Sequence, residues 1–169
     1  MPDPSITVRR AVASDAPLIL SFVKELATYE REPHAVVAKA SDFLRDGFGE
    51  HPLFHVLIVE VPSGGAIEPA GFALYFLQYS TWEGRPALYL EDLFVRPEFR
   101  GLGLGRVLLE HLAREALSHA CTRFQWEVLD WNVDAIGFYE RLGARILHEW
   151  KNVRIEGEAL RALAGKVDP

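Results

Sequence analysis

The stretch from Leu88 to Gly105, LYLEDLFVRPEFRGLGLG, constrains the fold more than any other part of the chain. It begins as an apolar strand, turns at Arg96-Pro97, and continues through glycines at alternate positions to Gly105. From there the apolar spacing becomes helical, with one face formed by Leu104, Leu108, Leu112 and Ala116. The stretch therefore predicts a strand, a glycine-rich turn and a helix in direct succession.

A strand, a glycine turn and a helix N-terminus together can hold a phosphate group. The first backbone N–H groups of a helix lack intrahelical partners, and the helix dipole favours an anion there. The spacing does not fit a nucleotide phosphate loop, which needs Lys-Ser or Lys-Thr where this chain has Arg106-Val107. It does not fit the dinucleotide fingerprint either, whose third glycine would fall at position 106. A flexible glycine turn without a ligand is the alternative.

Length and composition indicate one globular domain spanning residues 1–169. The chain is 49% hydrophobic and 25% charged, which suits a domain with a substantial core. Its net charge of −6 argues against a nucleic-acid surface and favours a cationic partner. The single cysteine, Cys121, excludes an internal disulfide and is expected to be a small buried residue before a strand. The six histidines are scattered, so we expect no metal.

The N-terminal residues lack the apolar stretch of a signal peptide, and no apolar run reaches membrane-spanning length. We therefore expect a cytoplasmic protein that binds no membrane.

The order of apolar patterns and turn residues predicts an α/β domain with a mixed sheet. Strands are expected at 6–11, 54–61, 70–79, 87–95, 124–129 and within 145–155. Helices are expected from a cap at Ser14 or Asp15 to about residue 31, and at 41–48, 103–119, 133–142 and 158–164. Residues 62–69, rich in Gly and Pro, are expected to form a turn or loop. Gly143 is expected to end the fourth helix.

Several motifs support a family resemblance. The segment Arg100–Gly105 resembles Arg/Gln-x-x-Gly-x-Gly/Ala, the coenzyme A pyrophosphate loop of the GNAT acetyltransferases. Three later stretches resemble the second half of that site: Asp130-Trp131-Asn132, Phe138-Tyr139 and Leu142-Gly143-Ala144. Three others resemble the spermidine/spermine (diamine) N-acetyltransferase subfamily, which includes thialysine acetyltransferases: Lys24-Glu25-Leu26-Ala27-x-Tyr29-Glu30, Asp46-Gly47-Phe48-Gly49-Glu50-His51-Pro52 and Leu88-Tyr89-Leu90-Glu91-Asp92. The similarity extends from about residue 6 to 164.

The resemblance implies a GNAT fold, in which helices flank a central mixed sheet with a splayed strand pair. It also implies acetyl-CoA as the acetyl donor, a small-molecule amine as the acceptor, and a homodimer. The residues implied to hold acetyl-CoA are Leu93, Phe94, Val95, Arg100, Gly101, Leu102, Gly103, Leu104, Gly105, Arg106, Asn132, Val133, Asp134, Ala135 and Tyr139. Those implied to hold the amine are Tyr29, Glu30, Trp82, Glu91, Asp92, Gln125, Trp126 and Glu127.

Two of these residues are candidates for proton transfer. Glu91 would attract the ammonium of the acceptor and relay its proton, and its apolar neighbours on the strand suggest burial that would raise its pKa. A carboxylate facing solvent is the alternative. Tyr139 would protonate the thiolate of coenzyme A, or would be a core aromatic. Asn132 could be a helix N-cap as well as a ligand.

The acceptor is expected to be short. Relatives that acetylate polyamines line a long channel with acids, and the position two before Trp82, which is acidic in them, is Ser80 here. Pro33-His34 likewise replaces the acids that follow Tyr29-Glu30. A sensor that binds coenzyme A or an amine without turnover, and an acetyltransferase of proteins or peptides, stay open as alternatives.

Overall fold

The computed structural model describes residues 6–165, which form two compact units divided between Glu127 and Val128. The first unit contains a five-stranded sheet in the order β1-β2-β3-β4-β5. Its strands are β1 (Thr7–Arg10), β2 (His55–Ser63), β3 (Ala66–Ser80), β4 (Arg85–Val95) and β5 (Phe124–Trp126). The first four strands pair antiparallel, and β5 pairs parallel to β4. The predicted mixed sheet is confirmed.

The described part of the first unit has three α-helices: α1 (Ala16–Tyr29) and α3 (Leu104–Ser118) pack on the sheet, and α2 (Ala40–Phe48) packs against α1. On one face, Phe22 of α1 stacks on Phe72 of β3 with ring centroids 5.2 Å apart. The same core cluster includes Leu74 of β3 and Phe94 of β4. The apolar stripe predicted for α3 is buried as expected, and so is Cys121. Burial raises the pKa of the Cys121 thiol, which suits a structural role better than a reactive one.

Two turns of the first unit differ in detail from the sequence prediction. The turn or loop expected at 62–69 is a tight hairpin turn at Gly64-Gly65, shorter than expected, because both glycines adopt positive φ and allow β2 and β3 to pair up to it. Asp15 is the N-cap residue of α1, as expected, but its side chain makes no capping hydrogen bond. Its carboxylate instead accepts the Val12 N–H at 2.8 Å and pairs with Arg9, so it fixes the turn before the helix.

The second unit contains α4 (Val133–Arg141) and α5 (Gly157–Ala164), both at predicted positions. The strand expected within 145–155 is wrong: between residues 6 and 165 the structure has no strand after β5. Residues 145–155 are almost all exposed, so no neighbouring strand satisfies or buries them. The strand predicted at 124–129 ends at Trp126. None of the helices in the described chain combines the length and apolar character needed to cross a bilayer.

Candidate functional site

The glycine loop has the backbone geometry expected of an anion cradle. Gly101 and Gly103 lie at φ +82° and +77°, in the left-handed region. Gly103 is the N-cap of α3, has no capping side chain, and accepts the Val107 N–H at 3.1 Å. The N–H groups of the first helical turn, from Leu104 to Arg106, therefore lack intrahelical partners. The predicted loop conformation is confirmed, and its binding of pyrophosphate stays a prediction.

Two arginines fix the segment between β4 and this loop against α1. Arg96 pairs with Glu25 at 2.8 Å, and its guanidinium carbon lies 4.7 Å from the centre of the Phe22 ring. The Arg100 guanidinium carbon lies 4.7 Å from the centre of the Tyr29 ring, and its Nε donates to the Val95 carbonyl at 3.1 Å. The family resemblance implies that Arg100 holds acetyl-CoA and that Tyr29 holds the amine substrate. The structure places these two side chains in direct contact.

Strand β4 contains a bulge at Glu91. The pairing with β3 shifts register there, so that Asp92 lies opposite Leu74 and Leu90 lies opposite Tyr75. Glu91 has no opposite residue and is exposed. The expectation that apolar burial surrounds Glu91 is therefore wrong, because the bulge removes it from the alternation of the strand.

The pairing of β4 with β5 ends just before the bulge. The two strands pair only from Leu88 to Leu90, whereas β4 continues beside β3 to Val95. Among the described residues no strand covers the second edge of Leu93, Phe94 and Val95. An open strand edge can bind an extended ligand through main-chain hydrogen bonds. These are the three residues predicted to receive the acetyl group and the pantetheine arm.

The charges of two other carboxylates of the first unit act on Asp92, the residue after the bulge. Asp92 is half-buried, and burial together with the charges of Glu91 and Glu30 raises its pKa to about 7. Glu30 follows the last residue of α1, and loss of hydration raises its pKa as well. The structure thus brings together three predicted acceptor residues in one acidic cluster, defined here as Glu30, Glu91 and Asp92.

The remaining acceptor candidates of the first unit are placed differently. Gln125 lies opposite Tyr89 and donates to the Gln78 side chain at 2.9 Å. Trp126 lies opposite Leu90, so strand alternation points it to the other face from Gln125. Trp82 is 89% exposed in the turn between β3 and β4. The structure therefore does not group Trp82 or Trp126 with the acidic cluster.

Tyr89 is a candidate residue of the amine site that the sequence motifs did not assign to it. Burial and the nearby carboxylates of Glu127 and Glu91 raise its pKa to about 12. Its ring lies 5.2 Å from that of Phe76, which fixes the side chain on the sheet. Its position two residues before Glu91 in the motif LYLED was the available signal.

The second unit contains Asn132 and Tyr139. Asn132 is the N-cap of α4, and its side-chain oxygen accepts the Ala135 N–H at 3.3 Å, so its predicted capping role is confirmed. Tyr139 is 9% exposed, with its ring centroid 5.4 Å from that of Phe138. Val133 and Asp134 are exposed at the start of the helix. Gly143 adopts φ +90° just after it, as predicted for the helix end.

Comparison with known proteins finds acetyltransferases both by family and by individual relatives. Residues 19–144 match the family described as "Acetyltransferase (GNAT) family", and the match crosses the division between the two units. A thialysine N-epsilon-acetyltransferase of Sus scrofa is 43% identical, with 96% of this chain and 99% of that protein covered. An L-ornithine N5-acetyltransferase of Arabidopsis thaliana is 29% identical, with coverage of 92% and 86%. A solved integron cassette protein of V. cholerae aligns with a TM-score of 0.78 and 27% identity, covering 97% and 100%.

Proposed function

Because the chain belongs to the GNAT acetyltransferase family, we propose that it transfers the acetyl group of acetyl-CoA to a short primary amine such as thialysine or a diamine. It is an acetyltransferase that acts on amines, as its near full-length similarity to such enzymes shows. The acidic cluster supports the choice of an amine acceptor, because the charges of Glu91 and Glu30 act together on Asp92 and would attract an ammonium group. We also propose that residues 1–169 act as a single domain in the cytoplasm.

The proposed donor site uses the backbone more than side chains. The first turn of α3 and the loop from Arg100 to Gly103 would hold the pyrophosphate, since oriented N–H groups favour an anion. The open edge of β4 at residues 93–95 would bind the pantetheine arm and stabilise the oxyanion. Asn132 to Ala135 would flank the pantetheine.

The chemistry starts from an ammonium, because a primary amine is mostly protonated at neutral pH. A carboxylate of the acidic cluster takes one proton, and the freed nitrogen lone pair attacks the thioester carbonyl carbon. The tetrahedral intermediate loses a second proton from nitrogen and expels the thiolate as the C–S bond breaks. Tyr139 would protonate that thiolate, and the second proton lost from nitrogen would restore the Tyr139 hydroxyl through water, while the carboxylate returns its proton to water. The net reaction forms an amide, free coenzyme A and one proton.

Thiol release from acetyl-CoA, measured with a panel of amines and peptides, tests the proposal. We expect turnover with thialysine and short diamines and none with peptides. Tight binding of coenzyme A without thiol release for any amine would favour the sensor alternative. A preference for peptide N-termini or lysines would favour a protein acetyltransferase.

Acceptor length gives a specific prediction. We expect kcat/KM to be higher for thialysine and putrescine than for spermine, because a desolvated carboxylate contact contributes about 1–3 kcal/mol and the cluster provides no extended series of acids. Ser80, the last residue of β3, is 3% exposed, and its Oγ accepts the Glu83 N–H at 3.4 Å, so its side chain supports the turn that follows. The measurement is kcat/KM for the three amines at fixed ionic strength.

Two variants sharpen this comparison. Ser80→Asp should selectively improve longer polyamines if that position faces the acceptor. Thr81→Asp is the matched control, since it adds the same charge at the adjacent exposed position. A preference of the unmodified protein for spermine that persists at high salt would refute the prediction.

We further propose a homodimer. Part of the expectation rested on a strand edge near residues 145–155, which the structure does not contain. What supports the proposal now is a set of exposed apolar side chains in the second unit, among them Trp150, Val153, Ile155, Leu160 and Leu163. Sedimentation velocity at micromolar concentration should give a dimer, and Val153→Glu, at a side chain that is 91% exposed, should shift it toward monomer. A monomeric unmodified protein would refute this prediction.

A further inference from the structure

We propose that Asp92 is a catalytic residue, the final acceptor of the proton that the bound ammonium releases. Glu91 attracts the ammonium from solvent and passes its proton on to Asp92. The inference rests on the proposed function and assigns separate tasks to two adjacent carboxylates.

The position of Asp92 in the sheet is unusual for a charged group. It lies opposite Leu74 and two residues before Phe94, so strand alternation places it on the face that packs against α1. It is half-buried there, and no residue between 6 and 165 donates a hydrogen bond to its carboxylate. A carboxylate that loses water without gaining a donor is destabilised. An ammonium group, with three N–H donors, is the partner that such a carboxylate lacks.

The bulge allows two neighbouring carboxylates to differ in exposure and still lie near each other, since the charge of Glu91 acts on Asp92. Glu91 has no cross-strand partner and is exposed, whereas Asp92 is the first residue after it to regain pairing with β3. Without the bulge, strict alternation would place the two side chains on opposite faces. A bulge redirects a side chain locally, and bulges are frequent beside active sites. Here it leaves one carboxylate accessible to solvent and the next one partly enclosed.

The charges around Asp92 also favour proton uptake. Glu91 on the same strand and Glu30 at the end of α1 are both acidic, and Leu74 on β3 is apolar. The cation Arg100 lies over Tyr29 and Phe94 and donates to the Val95 carbonyl, and it is not among the charges that act on Asp92. Burial first, then the two carboxylates, raise the pKa of Asp92 to about 7. A base whose pKa is close to the working pH is effective in proton transfer.

The pH dependence follows from this assignment. Below pH 7, Asp92 in the free enzyme becomes protonated and cannot take a proton from the ammonium, so kcat/KM should fall as pH decreases. Removing the charge of Glu30 or Glu91 removes repulsion, lowers the pKa of Asp92 and should move this acid limb to lower pH. After each cycle Asp92 returns its proton to water.

The test is the pH profile of kcat/KM for thialysine in four proteins: unmodified, Asp92→Asn, Glu30→Gln and Glu91→Gln. Asp92→Asn should lower kcat by about 10²–10⁴-fold, the range for a general base, and abolish the limb near pH 7. Glu30→Gln should shift the limb to lower pH and leave Asp92 itself intact. Glu68→Gln, at an exposed acid of β3, is the charge-matched control and should leave the profile unchanged.

The outcomes separate this inference from the proposed function. If Asp92→Asn acetylates thialysine with an unchanged acid limb, Asp92 is not the proton acceptor, although the proposed function survives. If the unmodified protein acetylates no amine, the proposed function fails first. If Asp92→Asn does not fold, as judged by thermal unfolding, the Glu30→Gln profile still decides, because an unmoved limb would overturn the inference.

Discussion

Replacing Tyr139 with Phe is expected to lower kcat by about 10²–10⁴-fold with little change in the KM for acetyl-CoA. The substitution keeps the ring, which is 9% exposed, and removes only the hydroxyl. A proton donor to the leaving thiolate acts in the transition state and not in the bound ground state. Its loss should therefore appear in kcat, and steady-state kinetics at saturating amine measure it directly.

The control for this prediction is a second hydroxyl deletion. Tyr79→Phe removes the same group from an exposed tyrosine of β3 and should leave both constants unchanged. Thermal unfolding of both variants shows whether loss of the hydroxyl weakens the fold. A normal kcat for Tyr139→Phe would show that Tyr139 is a core aromatic beside Phe138 and not the proton donor.

The parts of the fold that were predicted correctly depend on local patterns. The apolar repeat from Leu104 to Ala116 has helical period, and those residues are buried in α3. The glycines at 101 and 103 occupy positions with positive φ, where other residues are strained. Asn132 caps α4 because its side chain reaches an N–H three residues ahead. Each of these features is decided within a few residues of chain.

The parts that failed depend on pairing across the chain. An apolar stretch such as 145–155 forms a strand only if another strand accepts its hydrogen bonds, and the described residues provide none. The exposure of Glu91 depends on its register with β3, which the sequence of β4 alone cannot fix. The pKa of Asp92 similarly depends on the charge of Glu30, which lies at the end of α1 and far from Asp92 in the sequence. Motifs therefore identified the candidate residues, but only the structure distinguished the two carboxylates.

Replacing Gly103 with Val should raise the KM for acetyl-CoA by about tenfold to a hundredfold, since each hydrogen bond to a charged group contributes about 1.5–3 kcal/mol. Gly103 has φ +77°, where a β-branched residue is strained by roughly 1–3 kcal/mol. Apart from the two adjacent residues, no atom of the protein lies within 4 Å of a Cβ built at Gly103, so the added side chain meets no steric clash in the protein itself. The expected cost comes from backbone strain at the α3 N-cap and from the space that the pyrophosphate needs.

A matched variant separates these two causes. Gly65 has φ +86° in the β2–β3 turn and is equally open within 4 Å, so Gly65→Val introduces similar strain away from the proposed phosphate site. Both variants should unfold at lower temperature, but only Gly103→Val should bind coenzyme A more weakly in calorimetric titration. If Gly103→Val folds and retains normal affinity, the loop does not hold the pyrophosphate. If both variants lose affinity for coenzyme A equally, general destabilisation of the fold explains the weaker binding, because strain far from the glycine loop then has the same result as strain within it.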